Sequence, residues 1–227
     1  MSQLLNQICP NVVEYFPELL QALTDTLCMV GVSGFFAIII GLPIGVLLVV
    51  TKEGHLLQNK VLNLGLGKVI NVFRSIPFII LLAFIMPLTR AIVGTTIGRK
   101  GAIVPLVIGT APFVARQVES ALLGVDPGVI EAAKAMGSSP FEIIYRVLLR
   151  EGLGGIIYGL TITTVSLIGF SAIAGNVGGG GLGDFAIRYG YQYYKGDIMV
   201  VTVIIIIILV SIVQSIGEAL QRKVSHS

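Results

Sequence analysis

Long apolar runs separated by short polar breaks set the pattern of this chain. A helix that crosses a bilayer needs about 20 apolar residues at about 1.5 Å each. The first run, residues 26–50, contains no charged side chain. Within it Gly41 and Gly45 form a G-x-x-x-G spacing, which is either a face for close helix approach or a chance scatter of small residues. A polar break at Thr51-Lys52-Glu53-Gly54-His55 leads to a second run holding Lys68, Arg74 and Pro77. A third follows Arg99-Lys100-Gly101 and contains Pro105 and Pro112. A fourth ends in a glycine cluster at residues 175–183 and a tyrosine-rich segment at residues 189–194; the fifth is mostly Val and Ile. Val and Ile are poor helix formers in water, but hydrocarbon forces internal pairing of the backbone. The pattern predicts an all-α polytopic membrane protein with five transmembrane helices, at about 24–51, 61–87, 101–123, 152–174 and 198–217, in one domain over residues 1–227.

Residues 127–150 break the pattern. They carry Glu131, Lys134, Glu142, Arg146 and Arg150, and their apolar positions (Ile130, Ala133, Gly137, Ile144, Val147 and Leu148) recur at helical spacing. Ser139 suits a helix N-cap and Pro140 a first turn. Two short helices are expected, at about 128–136 and 140–149, with a turn at Gly137. Periodicity alone leaves two uses open: a pair lying on the lipid surface, or a helix docking into a partner's groove.

Composition supports lipid as solvent. Of 227 residues, 55% are hydrophobic and 12% charged, against roughly a quarter charged in soluble domains. Mean hydropathy is +0.93. The net charge of +3, with no basic run, offers nothing to a nucleic acid. Cys9 and Cys28 are too few for a disulfide framework, and with no Trp any interfacial aromatic belt must use Tyr. The N-terminus carries Glu14, Glu18 and Asp25 rather than the basic region of a secretory signal, so the first run reads as a retained helix. Lys and Arg favour the cytoplasmic side. With the N-terminus outside and the C-terminus cytoplasmic, ten of the 15 fall inside or near inner helix ends and five outside. Loop 127–150 is then cytoplasmic.

The segment Glu131-Ala132-Ala133-(three residues)-Gly137 resembles the E-A-A motif of permease subunits of ABC importers. Val147 and Leu149 fill the motif's later aliphatic and leucine positions, while Arg150 stands where the family usually has proline; Gly152 is the alternative bend into the fourth span. The runs 71–82 (Asn71 to Leu82), 111–116 (Ala111 to Arg116), Gly180-Gly181-Leu182-Gly183 and Tyr189-Gly190-Tyr191 are similar to the methionine-uptake permeases, and the resemblance covers about residues 24–220. It implies type I importer architecture and a methionine pathway, or one for another amino acid or small peptide. It also implies that Glu131, Ala132, Ala133 and Gly137 form the coupling helix on a separate ATPase. The implied partners are a second copy, two cytosolic ABC ATPases that bind ATP and Mg, and an external substrate-binding lipoprotein, in the bacterial inner membrane.

Position at the end of the fourth span marks Phe170, Ser171 and Ile173 as candidate pore lining, and Gly180, Gly181 and Gly183 as a candidate gate, with a plain loop as the other reading of those glycines. Gly178, Gly180 and Gly183 also spell G-x-G-x-x-G, but after a membrane span rather than within a βαβ unit. No P-loop string occurs, so no ATP site or other cofactor is expected in this chain. His55 and His226 are isolated, which gives no metal site, and no nucleophile–base set points to catalysis. An ion-coupled secondary transporter would need paired acids inside spans, and they are missing. Arg116 and Glu119, three apart, are expected to pair on one helix face; Arg74 either snorkels to the inner surface or meets a partner.

Overall fold

The computed structural model describes residues 9–225, so His226 lies outside the described residues. Within them every regular element is helical. The helices are α1 (Pro10–Glu14), α2 (Phe16–Val50), α3 (Lys60–Ser75), α4 (Phe78–Phe84), α5 (Met86–Val93), α6 (Gly98–Leu123), α7 (Pro127–Ala135), α8 (140–151), α9 (Leu153–Ala174), α10 (Gly181–Phe185) and α11 (Gly196–Ser225). In α8 the turns over Ile143–Leu148 widen to i→i+5 pairing; the same wide turns occur over Gly175–Gly179 and Ala186–Gln192.

Four helices, α2, α6, α9 and α11, are long and apolar enough to cross a membrane; a fifth crossing requires α3 and α4 to be counted together. The first helix starts at Phe16, earlier than the apolar run. Pro17 and Glu18 in its first turn suit a helix N-terminus, and no residue breaks the hydrogen bonding before the run begins. Its 35 residues extend about 52 Å, well beyond a hydrocarbon layer of about 30 Å. The second run, expected as one span over 61–87, is three helices. Pro77 forces Ile76 into extended geometry (φ −82°, ψ 122°), which ends α3. Pro87 cannot pair with the carbonyl four residues back, and the chain breaks again at Ile85.

The chain forms two compact units. The first comprises the described residues up to Phe35, Pro77–Ile108 and Thr164–Val213. Its core gathers Met29, Phe78, Leu82, Leu106 and Leu167, with a second cluster of Leu19, Ala22, Leu182, Phe185 and Ile198. The second unit comprises Phe36–Ile76, Gly109–Thr163 and the described residues from Gln214 on. Its core packs Val49, Val50, Val114, Val118, Leu122, Leu148 and Ile156.

In the second unit the G-x-x-x-G spacing is a packing face. A Cβ on Gly41 would lie 2.6 Å from Val114 Cβ, and one on Gly45 2.6 Å from Val118 Cβ, so α2 and α6 touch at backbone distance there. The runs 71–76 and 111–116 meet in the same unit. The Arg116 guanidinium donates to the Gly67 carbonyl (3.1 Å) and to Asn71 Oδ1 (2.9 Å) while pairing with Glu119. The Arg74 guanidinium lies 5.1 Å from the Phe113 ring centroid, a cation–π contact inside the chain.

Candidate functional site

The helical pair at 127–151 is capped at each end by its own sequence. Asp126 Oδ1 accepts from the Gly128 N–H (2.8 Å) and Pro127 fills the first turn of α7. At the other end, Ser138 N–H donates to the Ala133 carbonyl (3.1 Å) and Gly137 N–H to the Lys134 carbonyl (3.0 Å), a Schellman ending. Its left-handed residue is Gly137 (φ 81°), where a side chain would be strained. Two residues on, Ser139 Oγ accepts from the Glu142 N–H, and Glu142 Oε2 accepts from the Ser139 N–H (2.9 Å): a capping box that starts α8. The backbone donor of Ser139, then its hydroxyl, hold the Glu142 carboxyl below its ordinary range.

Of the four residues expected to couple, Ala133 is buried and its carbonyl is used by the turn. Glu131 and Ala132 are exposed. Glu131 lines a cavity of about 180 Å³ with His55, Leu122, Ile130 and Lys134. His55 is half-buried there; burial, then the charges of Lys52 and Lys134, push its imidazole below the ordinary value. Ile143 and Leu148 turn inward to the core of the second unit. Met136, Phe141 and Tyr145 turn outward, 79%, 76% and 69% exposed. Sequence reading missed this outward trio. The available signal is the i, i+4 spacing of Phe141 and Tyr145, off the face of Ile144 and Leu148.

The second set of candidate residues lies in the first unit. The Phe170 ring stacks on Phe78 (centroids 4.8 Å apart, 18° between planes). Ser171 is 2% exposed and its hydroxyl donates to the Ile168 carbonyl (2.7 Å). Ile173 is exposed. Beyond α9, Gly178, Gly180 and Gly181 all adopt positive φ, so the G-x-G-x-x-G string is irregular backbone that runs into the start of α10. Thr26 Oγ1 accepts the Leu182 N–H (2.8 Å), and a Cβ on Gly181 would come within 2.7 Å of that oxygen. Gly183 sits on the backbone of Ala172. Gly180 and Gly181 border a cavity of about 190 Å³ that also meets Glu18, Asp25, Asp184 and Arg188. Ion pairs Asp25–Arg99 (3.3 Å) and Asp184–Arg188 (3.0 Å) stand beside it. Thr26 and these acids carried no expectation: their partners are 74 and 156 residues away for Asp25 and Thr26, beyond any local pattern. The coupling set and the gate set are thus held by different units. Among the described residues no group of three or more His, Cys, Asp or Glu side chains is placed to hold a metal.

Comparison with known proteins places this geometry. The sequence profile of the family described as binding-protein-dependent transport system inner membrane component matches residues 32–226. The chain is 54% identical over 208 residues to the probable D-methionine transport system permease protein MetI of Vibrio cholerae, covering 92% of each chain. It is 52% identical over 157 residues to the D-methionine transport system permease protein MetI of Escherichia coli K12, covering 69% of this chain and 72% of that one. Among solved structures it resembles a chain of the MetNI methionine ABC transporter in an inward-facing conformation, with a TM-score of 0.91, 47% identity, and 93% and 98% of the two chains covered. A chain of an amino acid ABC transporter solved with histidines, 21% identical, shares the fold at a TM-score of 0.78.

Proposed function

We infer the function of this chain from its membership: it belongs to the family of inner membrane components of binding-protein-dependent transport systems. It is the permease subunit of an ABC importer, and ATP hydrolysis falls to a separate ATPase. Its substrate is methionine. The observation that carries this reading is identity with methionine permeases across nearly the whole length, in a fold that superposes on one of them.

The chain acts as one transmembrane permease domain. Two copies assemble with two cytosolic ATPases, which hold the ATP and Mg, and an external binding protein delivers the substrate. The N-terminus lies outside and the C-terminus in the cytoplasm; the ten-to-five bias of Lys and Arg supports this sidedness. Hairpin 127–151 then faces the cytoplasm and docks on the ATPase through Glu131, Ala132 and Gly137, with Ala133 as the small inward residue that lets α7 lie close to its own unit. Met136, Phe141 and Tyr145, exposed on the same hairpin, have the chemistry of interface anchors. A handle capped at both ends transmits a push as a rigid body, which suits rocking of the membrane helices between two states. Phe170 and Ile173 border the path, with Ser171 fixing the helix between them, and Gly180, Gly181 and Gly183 form the hinge of the outer gate.

The test is uptake of labelled methionine by cells whose own methionine permeases are deleted and which express this chain with its genomic ATPase and binding protein. Uptake competed by unlabelled L- or D-methionine is expected. Uptake of another amino acid that methionine does not compete with would assign the alternative substrate.

A further inference from the structure

Tyr194 is the one non-glycine residue with positive φ among those described, at 56°. It follows the wide turns Ala186–Gln192, where the Tyr194 N–H donates to the Tyr191 carbonyl (3.3 Å) and the Lys195 N–H to the Tyr189 carbonyl (3.4 Å). At such a helix ending the backbone is most easily served by glycine. A tyrosine there is strained, and strain persists where something else rewards it. Among the described residues nothing buries it: Tyr194 is 92% exposed.

The surroundings point to the reward. Tyr191 and Tyr193 are also exposed. The turn that carries them is held firmly from behind. Tyr193 meets the Tyr189 ring edge-on (5.7 Å, 86°), and Tyr189 tilts against Tyr15 (4.8 Å) and Phe185 (5.1 Å). The Lys195 ammonium lies 3.9 Å from the Tyr15 centroid and pairs with Glu14. Two residues past Tyr194, α11 begins; over residues 196–224 its buried residues are Ile198, Thr202 and Gly217. The exposed Val200, Val203, Ile204, Ile207 and Ile208 give that helix an apolar face, fit for hydrocarbon, that starts six residues beyond Tyr194.

We propose that Tyr191, Tyr193 and Tyr194 form an aromatic anchor in the headgroup layer of the bilayer, with the left-handed backbone of Tyr194 turning its ring into the phospholipid at the head of α11. A phenol suits that layer, with an apolar body toward the acyl chains and a hydroxyl toward phosphate and water. In a chain without Trp, tyrosine is the side chain that can do this.

The absence of Trp also supplies the test. The Tyr194→Trp transporter, with its partner subunits, is reconstituted in phosphatidylcholine vesicles, and its emission in excess of the wild-type complex reports this position alone. The excess emission is expected to be blue-shifted, shielded from aqueous iodide, and quenched by lipids brominated near the glycerol end more than by lipids brominated at the chain terminus. Emission of hydrated indole, open to iodide and indifferent to bromolipid, would overturn the anchor. So would emission shielded from both quenchers, which would place position 194 against protein. Tyr194→Gly checks the strain: the assembled transporter is expected to keep its fold, and a collapse of the assembly would show that the ring packs inside the protein.

Discussion

Hairpin 127–151 and the segment 175–195 solve the same problem in different ways. Each interrupts helices and each needs left-handed backbone. In the hairpin the left-handed place is Gly137, and the caps come from Asp126, Ser139 and Glu142, all within a few residues of the groups they satisfy. In the segment, the left-handed places are Gly178, Gly180, Gly181 and Tyr194, and supporting groups come from far away: Thr26 on α2, which accepts from Leu182, and Tyr15 before α2, which packs on Tyr189. The caps of the first lie within its own sequence. The second depends on distant helices staying in place.

That contrast is open to four tests. The largest effect is expected from Gly181→Val, which sets a branched side chain on left-handed backbone and against Thr26. It is predicted to cost about 3 kcal/mol or more, read as a fall in the thermal midpoint of the solubilised protein; an unchanged midpoint would mean that segment 175–195 yields freely. Gly137→Pro fixes φ near −65° where +81° is needed and removes the N–H that meets Lys134, at about 3 kcal/mol confined to the hairpin. The protein should still reach the membrane, while stimulation of ATP hydrolysis by loaded binding protein disappears. Normal stimulation would show that the hairpin is no handle.

Thr26→Val strands the buried Leu182 N–H at about 2 kcal/mol. Hydrogen exchange at Leu182 and Gly183 should quicken while α7 and α8 stay protected; uniform acceleration would erase the distinction between the two regions. Ser139→Ala removes a local cap, about 1 kcal/mol, and should expose only the hairpin to protease. The same cap carries a pH signature. Glu142 titrates lower folded than unfolded, so its contribution is present above the unfolded carboxylate value and is lost as pH falls through the folded one. Protease sensitivity at 136–142 should therefore rise on acidification in the wild type and change less in Ser139→Ala.

The legible parts of the molecule follow the same division. The turn at Gly137, the start of α8 at Pro140 and the Arg116–Glu119 pair could be read from the chain because each depends on groups at most a few residues apart. The break at Ile76–Pro77 was also written locally, in the proline, and a hydropathy window that averages over it hides it. The early start of α2 escaped because the apolar run marks only the part of the helix in hydrocarbon, whereas backbone hydrogen bonds continue past it. The acceptor role of Thr26 and the cation–π contact of Arg74 had no short-range trace, whereas the outward turn of Phe141 and Tyr145 left only their i, i+4 spacing.

Amino-acid order alone determined that this is an apolar helical chain for a bilayer, where its polar hairpin lies and how that hairpin is capped. Hydropathy, proline geometry and capping act over one or two helical turns, and those are distances a sequence displays. Tertiary structure alone decided that Gly41 and Gly45 meet Val114 and Val118, that Asn71 meets Arg116, and that Gly181 rests on Thr26. Such contacts depend on which helix faces meet after folding, and the free energy that selects them belongs to the packed whole rather than to any one stretch of chain.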